Sequence, residues 1–304
     1  MISNIIAIDT GNAMIKTPNS CFPAGVVHHG AFAPAIKGDV IHYGGQYYSL
    51  TSVRGPYMYD KTKDDTYYVL SLYTMVKELL TQYPDNDGHQ LIERTVTLAM
   101  GLPPPHLLSL KRRYAEYFRK GGRRTEFWYN DQPFAITVSQ VLVYSQGYAV
   151  IYDYIDRVRK EPQAYIIDVG GYTTDVIMLV NGKPDMSFCE SFEYGTARLY
   201  SAIERRLRDQ LNTSPDEIMI EALLFREDTW SAEARALAHQ VAGQNAAQIV
   251  HSMQENGVKL KLALPIFIGG GSQTMRGHDR ADGGRRRDAP AAVHRRHRGQ
   301  REVL

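Results

Sequence analysis

Cysteine is nearly absent: Cys21 and Cys189 are the only two in 304 residues. Far apart and without metal-ligand spacing, they exclude a disulfide framework, and ordinary thiols of a reducing compartment are expected. No apolar run reaches the ~18 residues of a membrane-spanning helix, so no membrane partner is expected. The opening MISNIIAIDTGN has no basic leader and meets an Asp at position 9, so a secretory signal is not expected and a cytoplasmic location is. An excess of one charge is missing too, with a formal net charge of +2. That balance hides a split. Residues 276–304 hold nine Arg, no Lys and four acidic residues, about +5, which leaves 26 basic and 29 acidic residues, or −3, in the body. Beyond residue 268 there is no Ile, Phe, Tyr or Trp.

What is present is ample for a packed core. Hydrophobic residues make up 43% of the chain, and its length allows one large domain or two ordinary ones. NIIAID (4–9) predicts a buried strand stopped by a turn, and AMIKT returns as the second arm of a hairpin. A second hairpin is predicted over 39–50, turning at Gly44-Gly45. Apolar spacing predicts helices over 67–83, 106–122 and 145–158, with a strand over 94–103 and a hairpin over 126–144. The pattern then restarts with AYIIDVGG (164–171), a strand and turn continued by YTTDVIMLVNGKP. Three more helices follow, and LPIFIGGGS (264–272) is a last buried strand ending in glycines. An Asp-x-Gly strand–turn–strand unit thus occurs twice, about 160 residues apart, which implies two related α/β domains facing each other across a cleft. The expected domains are 1–160 and 161–275, followed by a basic tail at 276–304 expected to be disordered.

The two turns carry the chemistry. The first is Asp9-Thr10-Gly11-Asn12, with Lys16 seven positions after the Asp. The second is Asp168-Val169-Gly170-Gly171-Tyr172-Thr173-Thr174-Asp175. Each ends a buried strand on a carboxylate, which is costly without a task. Each continues into a glycine-bearing turn whose N–H groups can face an anion. Two such turns make a clamp for a polyphosphate, with the carboxylates holding Mg²⁺ largely through its waters. Lys16 would stand against the phosphates as a point charge. Gly269-Gly270-Gly271 would let the backbone approach a nucleotide closely. A plain hairpin is the alternative for either turn alone. The basic residues Lys111, Arg112, Arg113, Arg119, Lys120, Arg123 and Arg124 read as a solvated helix face, and the 20 tyrosines as half-buried packing.

In these residues the chain resembles the ATPase fold shared by actin, heat-shock 70 chaperones and sugar kinases. It is most similar to the ParM/StbA group of bacterial actin-like proteins that segregate plasmids, over residues 1–272. The resemblance implies an actin-like ATPase fold that binds ATP and Mg²⁺, with Asp9 and Asp168 on the metal. The first turn and Lys16 would take phosphate, as would Gly170, Gly171, Tyr172 and Thr173. Gly269–Gly271 would match the adenosine motif. Gln146, beside a Gly at the start of a linking helix, would orient the attacking water, with Asp168 and Asp175 as further catalytic candidates. Glu193-Tyr194-Gly195-Thr196 loosely matches the second linking segment, where Gly195 serves as contact or cap. The resemblance also implies self-association into filaments and a DNA-binding adaptor of a plasmid partition system, with no direct binding of nucleic acid. A small-molecule kinase of the same superfamily, or a nucleotide-gated module that does not polymerise, is the alternative.

The tail has a separate explanation. Arg, Gly, Ala and Pro are residues of GC-rich codons, as in a coding strand read out of register. Shifted forward by one nucleotide, His278-Asp279 forces Met or Thr, and Asp279 into Arg280 forces Ile or Thr. The stretch then permits Met-Ile-Glu-Gln-Met-Ala-Ala, and Val293 to His297 permits Phe-Ile-Asp-Asp, followed by Ile-x-Ala-Asn-Ala. That is similar to the family's usual ending. A frame-restored chain is therefore expected to melt at a higher temperature than this one, as read by thermal denaturation.

Overall fold

The computed structural model describes residues 5–35, 38–82, 88–147, 151–226, 231–275 and the pair 292–293. The chain divides into two compact units that part between Gln146 and Gly147.

The first unit is built on a nine-stranded sheet. β1 (Ile5–Thr10), β2 (Met14–Lys16) and β3 (Cys21–Pro23) form an antiparallel meander. β7 (Ile92–Leu102) lies parallel to β1, and β9 (Gln132–Ser145) lies parallel to β7. β8 (Arg124–Tyr129) returns antiparallel beside β9 and leads to β5 (Val40–Tyr43), β6 (Gln46–Leu50) and β4 (Val26–Gly30). The expected hairpins are all present. β5 and β6 turn at Gly44-Gly45, both at positive φ, and β8 and β9 turn at Asn130, φ 53°.

Two helices cover this sheet. α1 (Thr66–Gln82) buries nearly its whole circumference from Tyr67 to Val76, as a helix apolar on all sides must. α2 (Pro104–Arg119) begins earlier than its predicted start at 106. Pro103–Pro105 do not merely stop β7: Pro103 caps the helix and the next two prolines form its first turn, where no backbone donor is required. Two of its basic residues are paired, Arg113 with Asp60 at 3.1 Å and Arg119 with Glu116 at 3.6 Å, and Lys120 just past its end pairs with Asp65 at 2.8 Å.

The second unit repeats the plan. β10 (Gln163–Val169), β11 (Thr174–Val180) and β12 (Lys183–Phe192) form an antiparallel meander. β13 (Leu264–Ile268) lies parallel to β10 and β14 (Ala292–Val293) parallel to β13. β12 was not predicted, although Asn181-Gly182, at φ 50° and 77°, is a strong hairpin turn. α6 (Ala232–Glu255) packs Ala246, Ile249 and Met253 against Tyr165, Ile167 and Phe267. α3 (Ile151–Val158) packs on Ile166, Ile177 and Ile268. α4 (Thr196–Leu211) and α5 (Glu217–Phe225) share a further cluster with the start of α6. Asp216 and Ser231 cap α5 and α6 by accepting from Met219 N and Ala234 N.

One helix start differs from expectation. Ser145 is the last residue of β9 and Gly147 is left-handed at φ 76°, so the predicted helix over 145–158 is described only from Ile151. Of the tail, only β14 is described, and the expected disorder of 276–304 otherwise lies outside the described residues.

In the first unit Asp39 ties β5 to α1 and β8. Lys77 Nζ donates to Asp39 Oδ2 at 2.7 Å, and the Tyr129 hydroxyl donates to Oδ1. Burial alone would raise the Asp39 carboxyl, but those two hydrogen bonds and the Lys77 charge outweigh it and hold it below 3.8. A depressed carboxyl stabilises the fold above its unfolded value and loses that contribution as pH falls through its folded one. Asp39→Asn should therefore cost on the order of 1 kcal/mol at pH 7 in urea melts, since solvent screens the partly exposed pair, with the gap from wild type closing below the ordinary carboxylate pKa of about 3.9.

Candidate functional site

In each unit the end of the first strand and its turn present the candidate residues. Asp9 lies opposite Lys16 across β1 and β2, and Asp168 lies opposite Asp175 across β10 and β11. Residues directly opposite share one face of the sheet, so Lys16 and Asp175 hold equivalent places beside the two aspartates.

In the first unit Gln146 follows β9, and its backbone N–H donates to Leu102 O at 2.7 Å. Its side chain turns to Asp9, with Nε2 donating to Oδ1 at 3.1 Å. Gly101 provides the room, because a Cβ there would lie 2.6 Å from Gln146 Cγ. Thr10 is buried and shares a hydrogen bond with the Tyr114 hydroxyl, while its carbonyl accepts from Lys61 Nζ. Burial pushes the Tyr114 phenol far above its ordinary value, so it stays protonated as a donor. A Cβ on Gly11 would meet Met14 O at 2.7 Å, so the tight turn requires glycine. Asn12 faces the protein: its Oδ1 accepts from the Tyr67 hydroxyl at 2.9 Å and from Met58 N at 3.0 Å. Lys16 is half-buried on β2.

In the second unit the turn is closed by Gly170 N donating to Thr173 O at 2.8 Å. The start of α4 docks on it, with Thr196 N donating to Gly170 O at 3.1 Å and Ala197 N to Gly171 O at 2.8 Å. Gly195 makes this docking possible, since a Cβ there would fall 2.4 Å from Gly171 O and Tyr172 C. Gly269, at φ 84°, borders the Asp168 carboxylate, and a Cβ would stand 2.2 Å from Oδ1. A Cβ on Gly147 would lie 3.9 Å from the other oxygen. Gly271 packs against Val169 and Thr196, whereas Gly270 faces open space. Asp175 is 8% exposed and accepts from Ser191 Oγ on β12. Tyr172 and Thr173 are half-buried in the turn itself.

In the second unit, therefore, Gly269 and Gly147 border the Asp168 carboxylate, Gly195 packs on the 170–173 turn and Gly271 on Val169, and Gly270 stands apart. The first gathers Asp9, Thr10, Gly11 and Gln146. Sequence reasoning missed Gly101, Lys61, Tyr114 and Ser191. Gly101 carries a signal, a glycine just before the prolines that end β7. The others pack from distant segments and carry none. Among the described residues no group of three or more His, Cys, Asp or Glu could hold a metal ion, and no helix is long and apolar enough to cross a membrane.

Residues 166–278 match a family model described as the C-terminal part of the archaeal actin homologue MreB-like proteins. No curated protein matches the chain in sequence. Among solved structures, Ta0583, an archaeal actin homolog, is similar with a TM-score of 0.68 at 15% identity, covering 95% of this chain and 92% of that one. Its complex with ADP gives a TM-score of 0.66 at 16% identity, over the same shares of the two chains. A subunit of a 15-stranded ParM filament from Clostridium botulinum gives 0.65 at 17% identity, covering 91% of each chain.

Glycine requirements at the adenosine-motif candidates should differ sharply. Gly269→Ala should destabilise the protein by more than about 1 kcal/mol, since it adds a clash to a positive φ. Gly270→Ala should stay within about 0.5 kcal/mol of wild type. Thermal melts of the two variants check this.

Proposed function

Taking as premise that this chain has the actin-like ATPase fold, we propose that it binds ATP with Mg²⁺, hydrolyses it and assembles into filaments. The observation that carries the reading is the Gln146 amide held on the Asp9 carboxylate beside a glycine turn. With Nε2 engaged as donor, Oε1 is left as the acceptor for a hydrogen of the attacking water. That water's oxygen bonds to the γ-phosphorus as the bond to the β–γ bridging oxygen breaks, giving ADP and inorganic phosphate. Positioning of water is a general means of promoting this reaction.

The other candidates take phosphate and metal roles. Gly11 and Gly171 bring backbone donors to phosphate, Gly170 closes the turn that carries Gly171, and Lys16 adds a fixed positive charge. Asp9 and Asp168 are assigned to Mg²⁺, which when bound neutralises phosphate charge. Gly269 places no side chain over Asp168 Oδ1, where a Cβ would stand at 2.2 Å. Gly269–Gly271 are assigned to the adenosine. Asp175, buried and bonded to Ser191, serves the fold of the turn more readily than it would serve as a base for an acceptor hydroxyl. That favours water over a small-molecule acceptor.

The ADP complex of Ta0583 supports nucleotide binding, and the ParM filament supports assembly. Plasmid segregation through a DNA-binding adaptor, in the cytoplasm, is the cellular role we assign. The mildly acidic body, at −3, supports leaving DNA contact to that adaptor. Gln146→Ala should lower phosphate release about 100-fold while ATP still binds. Wild type should sediment with ATP and Mg²⁺ and not without nucleotide. A chain that hydrolyses ATP but never sediments would defeat the filament reading.

A further inference from the structure

Lys61 is a buried cation that the phosphate and metal roles above do not use. It is 4% exposed and lies in the segment between β6 and α1. Its Nζ donates to the Thr10 carbonyl and stands 5.3 Å from the centre of the Tyr67 ring. Neighbouring residues fasten the same segment. Met58 N donates to Asn12 Oδ1, the Tyr59 ring lies 4.1 Å from His106, and Asp60 pairs with Arg113 at 3.1 Å. Burial of an ammonium is costly unless it is well bonded, and a surface strap has no need of one.

We propose that Lys61 is a positioning residue for phosphate binding, which sets the orientation of the Thr10–Gly11 peptide. No peptide bond among the described residues is cis, so the Thr10 carbonyl and the Gly11 N–H point in opposite directions. An ammonium that holds the carbonyl on one side directs the Gly11 N–H to the other. The turn around it is held at two further points, Thr10 Oγ1 on the Tyr114 hydroxyl and Asn12 Oδ1 on the Tyr67 hydroxyl. Lys61 grips the peptide plane that carries the glycine donor. Its charge reaches further: the His106 imidazole is pushed below its ordinary value by burial and then by Lys61, with Asp60 opposing. The inference rests on the assignment of Gly11 to phosphate.

The test compares binding of ATP and of adenosine, which lacks phosphate, to the full chain by calorimetry with Mg²⁺ present. Lys61→Met keeps the stem and removes the ammonium. It should weaken ATP at least tenfold and leave adenosine within twofold of wild type. Tyr114→Phe, which loosens Thr10 but leaves its carbonyl held, should keep the wild-type ratio of the two affinities. Lys61→Arg should recover at least part of the ATP affinity. If Lys61→Met does not fold, Lys61→Gln is read in its place, since its side chain is one bond shorter and leaves the carbonyl unbonded. An unchanged ratio in the variant read overturns the positioning role, as does an equal loss of ATP and adenosine. Failure of wild type itself to bind ATP overturns instead the function on which the inference rests.

Discussion

Asp168 ends a strand that has neighbours on both sides, and an ionised group there must be given room. The room comes from the absence of side chains. Gly269 would otherwise stand 2.2 Å from the carboxylate, Gly195 2.4 Å from the turn, and Gly271 2.6 Å from Val169. These glycines come from the end of β13 and from the start of α4. The path of the chain through the second unit is thus fitted to one carboxylate and the four-residue turn beside it. The same constraint acts in the first unit, where Gly101 at the end of β7 yields space to Gln146. In both units the end of a parallel strand next to the aspartate's own strand carries the glycine.

That correspondence follows from the sheets. The order β3-β2-β1-β7-β9 in the first unit matches β12-β11-β10-β13-β14 in the second, with the same antiparallel meander followed by parallel neighbours. The extra strands β8, β5, β6 and β4 extend the first sheet alone. There a polar knot does the joining. The Tyr73 hydroxyl on α1 donates to Tyr48 O at 2.8 Å and accepts from Ile41 N at 3.2 Å, beside the Asp39 contacts already described. Buried tyrosines are therefore less a general filler than the means by which α1 and α2 reach polar backbone.

The repeated strand–turn–strand unit was legible because a buried strand of Ile and Val stopped by Asp and Gly leaves few alternatives. The long helices were legible for the same reason, since their apolar spacing runs over several turns. β3 and β4 escaped notice because strands of three to five residues carry too little pattern. The start of α2 was misplaced because prolines signal both the end of a strand and the first turn of a helix. Gln146 stands out in the sequence beside a glycine, but its surroundings do not: it lies in a turn rather than on a helix, and Gly101 sits 45 positions earlier in sequence. Lys61 was invisible for a similar reason. Nothing local distinguishes a lysine among Asp, Thr and Lys from an exposed one, and its burial depends on Tyr67 and Thr10 packing over it.

The internal repeat does not make the two turns chemically alike. The place opposite the aspartate is filled by Lys16 in one and Asp175 in the other. An aspartate and a lysine on one face compensate each other. Two aspartates on one face repel, and Ser191 donates to Asp175 against that repulsion. The register of the two hairpins thus pairs opposite charges in the first unit and like charges in the second. A duplicated scaffold can give its two turns different electrostatics by a single change of residue at one paired position.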